Sequence, residues 1–125
     1  MSALVLVVED NPANLVLTQA LLRRAGHRVA GAGSATEAME RLHEALPDLI
    51  LMDIQLPGED GLSLTRRLKA DPRSAAIPVV ALTAHAMSGD SAEALTAGCS
   101  GYITKPIDTR AFPEQVGGFL RLTIG

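Results

Sequence analysis

Ala3-Leu-Val-Leu-Val-Val-Glu-Asp10 and Asp48-Leu-Ile-Leu-Met-Asp53 decide the fold of this chain. Each is a short, unbroken apolar run that ends on a carboxylate. Unbroken rather than alternating apolar character marks a strand covered on both faces, the habit of parallel sheets with helices on either side. After the first run, Asn11-Pro12 opens a helix in which Ala13, Val16, Leu17, Ala20 and Leu21 recur at helical spacing until Gly26. His27 to Ala32 is a weaker strand. Ser34-Ala-Thr-Glu37 has the capping-box spacing, and Ala38, Leu42 and Ala45 mark one face of the helix it starts.

The second run leads through the loop Leu56-Pro-Gly-Glu-Asp-Gly61 to a third helix carrying Leu64 and Leu68. A third apolar run, Ile77 to Leu82, ends in Thr83. A fourth helix is predicted from about Ser88 to Ala97, closed by Gly98. The last strand is Gly101-Tyr-Ile-Thr104, followed by Lys105-Pro106, and a fifth helix lies within Phe112 to Leu122. Pro113 is tolerated there only near the start, and Gly117-Gly118 cost about 1 kcal/mol each relative to Ala. Alternating strand-helix units imply an α/β doubly wound fold with right-handed crossovers, whose ligands bind beyond the carboxyl ends of the strands.

Composition agrees with one domain, and because the five strand-helix units fill residues 1–125, no output domain is expected. The chain is 47% hydrophobic and 20% charged, and a chain of this length hides roughly two thirds of its unfolded surface without a disulfide or metal. Its aromatics are Tyr102, Phe112 and Phe119, too few for base-stacking platforms, and a formal charge of −3 argues against a phosphate-backbone footprint. Direct nucleic-acid binding is therefore disfavoured. The single Cys99 permits no internal disulfide and reads as a small buried filler. No basic region precedes Ala3 to Val8, which is too short for a signal core or membrane span, so a cytoplasmic location is expected.

The strand ends supply Glu9, Asp10 and Asp53 as carboxylates, Thr83 as a hydroxyl and Lys105 as an amine. Taken singly, each has a bland reading: a helix-capping pair, turn residues, a solvated lysine. Together they make one site. Three adjacent carboxylates repel unless a cation sits among them, and Mg²⁺, which prefers oxygen ligands and keeps several waters, suits a shallow acidic cleft. Lys105 adds a point charge for a phosphoryl group.

These residues, with Leu-Ile-Leu-Met-Asp53, Leu56-Pro-Gly-Glu-Asp-Gly61, Thr83-Ala84 and Tyr102-Ile-Thr-Lys-Pro106, resemble the receiver domain of two-component response regulators. The resemblance runs from about Ala3 to Leu122 and is strongest to single-domain cell-division-type regulators and to the receivers of hybrid kinases. It implies a flavodoxin-like (βα)5 fold with a five-stranded parallel sheet in the order 2-1-3-4-5. It further implies that Asp53 takes a phosphoryl group from a histidine kinase or histidine phosphotransfer protein. Glu9, Asp10, Asp53 and the backbone carbonyl of Gln55 would hold Mg²⁺, Thr83 and Lys105 would meet the phosphoryl group, and Tyr102 would follow Thr83 inward. Pro106 would be a cis proline. Phosphorylation would then reshape the face made by the fourth helix, fifth strand and fifth helix for a downstream protein, and the domain would be a switch rather than an enzyme.

Glu9 stands where many relatives carry Asp, a change that the resemblance tolerates. Gln55 and His85 occupy positions that in this family tune the phosphoryl lifetime, although His85 also reads as a plain surface residue. His27 and His43 read as ordinary, partly exposed side chains. One alternative is a receiver segment of a hybrid histidine kinase or other multidomain regulator. A flavin-binding electron carrier of the same fold lacks its Ser/Thr-rich and aromatic loop after the first strand. A hydrolase with an Asp nucleophile would lack a substrate-covering element.

Overall fold

The computed structural model describes residues 3–56, 58–84 and 89–124. Pro57 of the loop motif, His85, and Ser88 as the expected start of the fourth helix lie outside the described residues. The elements run β1 (Leu4–Val8), α1 (Pro12–Arg24), β2 (Arg28–Ala32), α2 (Ala35–Glu44), β3 (Leu49–Asp53), α3 (Gly61–Ala70), β4 (Val79–Thr83), α4 (Asp90–Ala97), β5 (Gly101–Thr104) and α5 (Phe112–Ile124). All four strand pairings are parallel, and the sheet order is β2-β1-β3-β4-β5. This is the flavodoxin-like arrangement expected from the resemblance. Because β1 and β3 are central, their terminal carboxylates open at one end of the sheet, where the chain order reverses.

Alternation along each strand splits the core in two. On β1, Leu6 and Val8 join Ala38 and Leu42 of α2, Leu64 and Leu68 of α3, and Ala94 and Ala97 of α4. Val5 and Val7 face the other way, with Leu22 of α1 and Phe112, Val116 and Leu120 of α5. β3 and β4 are buried at every position, which is why they read as unbroken apolar runs.

Three helices differ from the sequence reading. In α1 the buried side chains are Thr18 and Leu22, while Val16 and Leu17 are 65% and 40% exposed. Apolar residues lie all around this helix, so periodicity could not choose its inner face; docking on the sheet did, and the Thr18 hydroxyl is accommodated by donating to Asn14 O at 2.7 Å. α5 runs past the expected limit of Leu122 to Ile124 and holds Gly117-Gly118 within it, because Phe112, Val116 and Leu120 at four-residue spacing seat it in the core. Burying a side chain such as Phe112 contributes roughly 1.5–3 kcal/mol, which offsets the glycine cost. Ala45, read as part of the α2 face, is instead its exposed C-cap. Cys99 is buried, His27 is half-buried, and His43 is exposed.

Candidate functional site

Glu9 continues the line of β1, its N–H donating to Ala32 O of β2 at 2.9 Å. Its side chain is only 2% exposed, whereas Asp10 beside it is open to solvent. The cap of α1 is neither of them: Asn11 Oδ1 accepts from the N–H groups of Ala13 and Asn14 at 3.0 and 3.2 Å. The helix start is therefore satisfied without the two carboxylates, which leaves them for the cleft. The Asn11 N–H donates to Glu9 Oε1 at 3.3 Å and helps to hold that carboxylate.

Asp53 ends β3 and is buried, with Oδ1 accepting the Gln55 N–H at 3.0 Å. Lys105 follows β5 and is held by its own N–H donating to Thr83 O at 2.7 Å. Its ammonium spans two strand ends, 2.9 Å from Glu9 Oε2 and 3.1 Å from Asp53 Oδ2. The Lys105–Pro106 peptide bond is cis.

Burial pushes the Asp53 carboxyl above the usual carboxylate range, and the Glu9 charge adds to this; the Gln55 N–H and Lys105 oppose it. For Lys105, burial works against the charged form, but hydrogen bonds and charge from Glu9 and Asp53 together outweigh it and hold the amine above its ordinary value. One cation thus serves two buried acids, and Asp10 adds a third. Carboxylate oxygens of Glu9, Asp10 and Asp53 lie within 4.8 Å of one another. An all-oxygen set this close, with one member facing solvent, fits a hard divalent cation that retains waters, and Mg²⁺ fits better than a softer metal.

Thr83 ends β4, the strand next to β3, and its side chain is buried. Tyr102 lies on β5 in register with Ala81, two residues before Thr83, and is 42% exposed. The structure thus brings Glu9, Asp10, Asp53 and Lys105 into one cleft, places Thr83 at a neighbouring strand end, and leaves Tyr102 at the surface. Gly61 was not singled out from the sequence. A Cβ there would stand 2.1 Å from the Asp53 carbonyl oxygen, and its N–H donates to Ile54 O at 3.1 Å. Only a glycine lets α3 begin directly against the end of β3, a fact the sequence held merely as one more glycine in a turn.

Residues 5–116 match the family described as the response regulator receiver domain. The chain is 42% identical over 120 residues to the polar-differentiation response regulator DivK of Brucella ovis, covering 96% of this chain and 98% of that one. Among solved structures it resembles the receiver domain of a sensor histidine kinase from Pseudomonas aeruginosa, whose cleft coordinates a magnesium ion. That match has a TM-score of 0.85 and 35% identity, over 100% of this chain and 99% of the other. It also resembles the signal receiver domain of a histidine kinase from Syntrophus aciditrophicus, with a TM-score of 0.88 and 30% identity over 98% and 92% of the two chains.

Proposed function

The chain belongs to the response regulator receiver family, and from that premise we propose that it is a phosphorylation-controlled switch in a two-component relay, with Asp53 as the acceptor. The observation that carries this reading is the Lys105 ammonium bridging Glu9 and Asp53, with Asp10 completing the acidic cluster.

The donor is a phosphorylated histidine of a sensor kinase or phosphotransfer protein. An Asp53 carboxylate oxygen attacks phosphorus, the O–P bond forms as the N–P bond breaks, and the histidine leaves with its electron pair. Ionised Asp53 is needed for this attack, and Lys105 and the Gln55 N–H favour that form. Glu9, Asp10, Asp53 and the Gln55 backbone carbonyl would hold Mg²⁺, which when bound supplies charge neutralisation and alignment for the transferring group. Lys105 then pairs with the phosphoryl oxygens, and water later attacks phosphorus, breaking the bond to the Asp53 oxygen and releasing inorganic phosphate, which returns Asp53 to its free carboxylate. The Thr83 hydroxyl turns to donate to the new acceptor oxygens and Tyr102 follows it inward. The face made by α4, β5 and α5 changes for a downstream protein. The domain is a signalling switch rather than a metabolic enzyme. It works in the cytoplasm beside its donor, and its partners are proteins rather than nucleic acid or membrane. Among the described residues no helix is long and apolar enough to cross a membrane.

The test is uptake of label from a phosphorylated kinase panel with Mg²⁺. The parent should label and Asp53→Asn should not. Normal labelling of Asp53→Asn would overturn the assignment. A second reading, a receiver segment within a histidine kinase, is favoured by the likeness to the two kinase receivers, as the free-standing reading is by the coverage of DivK. The reading frame of the natural gene separates them.

A further inference from the structure

β2 is a sheet edge whose one charged residue is Arg28 at its start; from Val29 to Gly33 the edge contains no charge and no proline, the usual devices that stop an edge from adding another strand. The direction of its polar groups follows from the pairing. The Arg28 N–H donates to Ala3 O and the Ala32 carbonyl accepts from Glu9 N–H, so residues 28, 30 and 32 point toward β1. Residues 29, 31 and 33 therefore point away from the sheet, since N–H and C=O of one strand residue share a side and alternate along the chain. Two of these outward groups are occupied from α2. Glu37 Oε1 accepts the Gly33 N–H at 2.8 Å, and Arg41 Nε donates to the Gly31 carbonyl at 3.2 Å. Glu37 and Arg41 are four residues apart and so stand one turn apart on the same helix face. Arg41 is held further by Glu44 at 2.8 Å.

We propose that Glu37 and Arg41 form an edge guard, and that the partner they exclude is a second copy of this chain pairing through its own β2. Two identical edges related by a two-fold axis meet antiparallel. Centred on Gly31, that meeting places Val29 opposite Gly33 with only small side chains on the pleat. Of the outward groups on Val29, Gly31 and Gly33 that a second copy would need, α2 already occupies two, the Gly31 carbonyl and the Gly33 N–H. A protein whose signal depends on which partner it meets has reason to keep such an edge closed.

The experiment compares the parent with Glu37→Ala/Arg41→Ala by sedimentation over a range of concentrations, with circular dichroism as the check on folding. Alanine preserves the α2 helix, and Ser34 keeps its cap. The double variant should gain an association step that the parent lacks. Adding Val29→Pro, which removes an outward N–H, should abolish that step. Amide exchange at Gly33 in dilute Glu37→Ala should be at least about tenfold faster than in the parent, as expected when a charge-assisted hydrogen bond is lost. If the double variant does not fold, Arg41→Met keeps the apolar stem without the donor and serves the same comparison. A folded variant that sediments as the parent does at every concentration would overturn the proposal, as would association that survives Val29→Pro.

Discussion

The main chains of Gly61 and Asp53 are in direct contact: a single added carbon on Gly61 would stand 2.1 Å from the Asp53 carbonyl oxygen. α3 therefore sets the position of Asp53 through the backbone, with no side chain between.

Gly61→Ala should accordingly lower both stability and labelling. Backbone cannot swing aside as a flexible side chain can, so the cost is that of overpacking, about 1–3 kcal/mol. Denaturant unfolding checks the first effect and the rate of phosphoryl uptake the second. A variant that labels at the parental rate would show that α3 does not position Asp53.

Asp53→Asn should raise the melting temperature in metal-free buffer at neutral pH. The folded protein holds the Asp53 carboxyl above its ordinary value because burial disfavours the charge, so the ionised acid opposes folding. That penalty is complete above the folded value and disappears below the ordinary one. The advantage of Asn should thus shrink as pH falls through the folded value toward the ordinary value of 3.8. Melting curves of both proteins against pH test the sign.

Lys105→Met should cost up to about 3 kcal/mol without metal, because it leaves Glu9 and Asp53 buried without their shared cation. Mg²⁺ should restore part of that loss. In the parent, the Lys105 contribution is complete below the ordinary lysine value of 10.5 and is lost as pH rises through the higher folded value. Unfolding curves with and without Mg²⁺, continued to alkaline pH, measure both effects.

Mg²⁺ at about 100 times its dissociation constant should stabilise the parent by about 2.7 kcal/mol. Asp10→Asn should reduce this shift at the same metal concentration and slow labelling. An unchanged metal affinity by titration would remove Asp10 from the site.

Thr83→Ala should still accept the phosphoryl group while losing most of the phosphorylation-dependent gain in partner affinity. A hydroxyl that donates to the phosphoryl oxygens of the modified state supplies the energy difference a population shift requires. Calorimetry of phosphorylated and free forms decides it, and a full response in Thr83→Ala would exclude the coupling.

Strand content, strand ends and the residues placed there were legible along the chain, because β1, β3 and β4 are buried on both faces and each ends on a polar side chain. α1 was not legible in the same way: its apolar residues surround the helix, and only packing against the sheet selected Thr18 and Leu22 as the inner pair. The sequence listed carboxylates, a hydroxyl and an amine separated by tens of residues, but no local rule relates Lys105 to Glu9. Their 2.9 Å contact arises because parallel pairing orders β2-β1-β3-β4-β5 and aligns the strand ends. The approach of Gly61 to Asp53 and the hold of Glu37 and Arg41 on the β2 edge are likewise tertiary. Each depends on where a helix lands, a choice settled by the whole core rather than by neighbours in sequence.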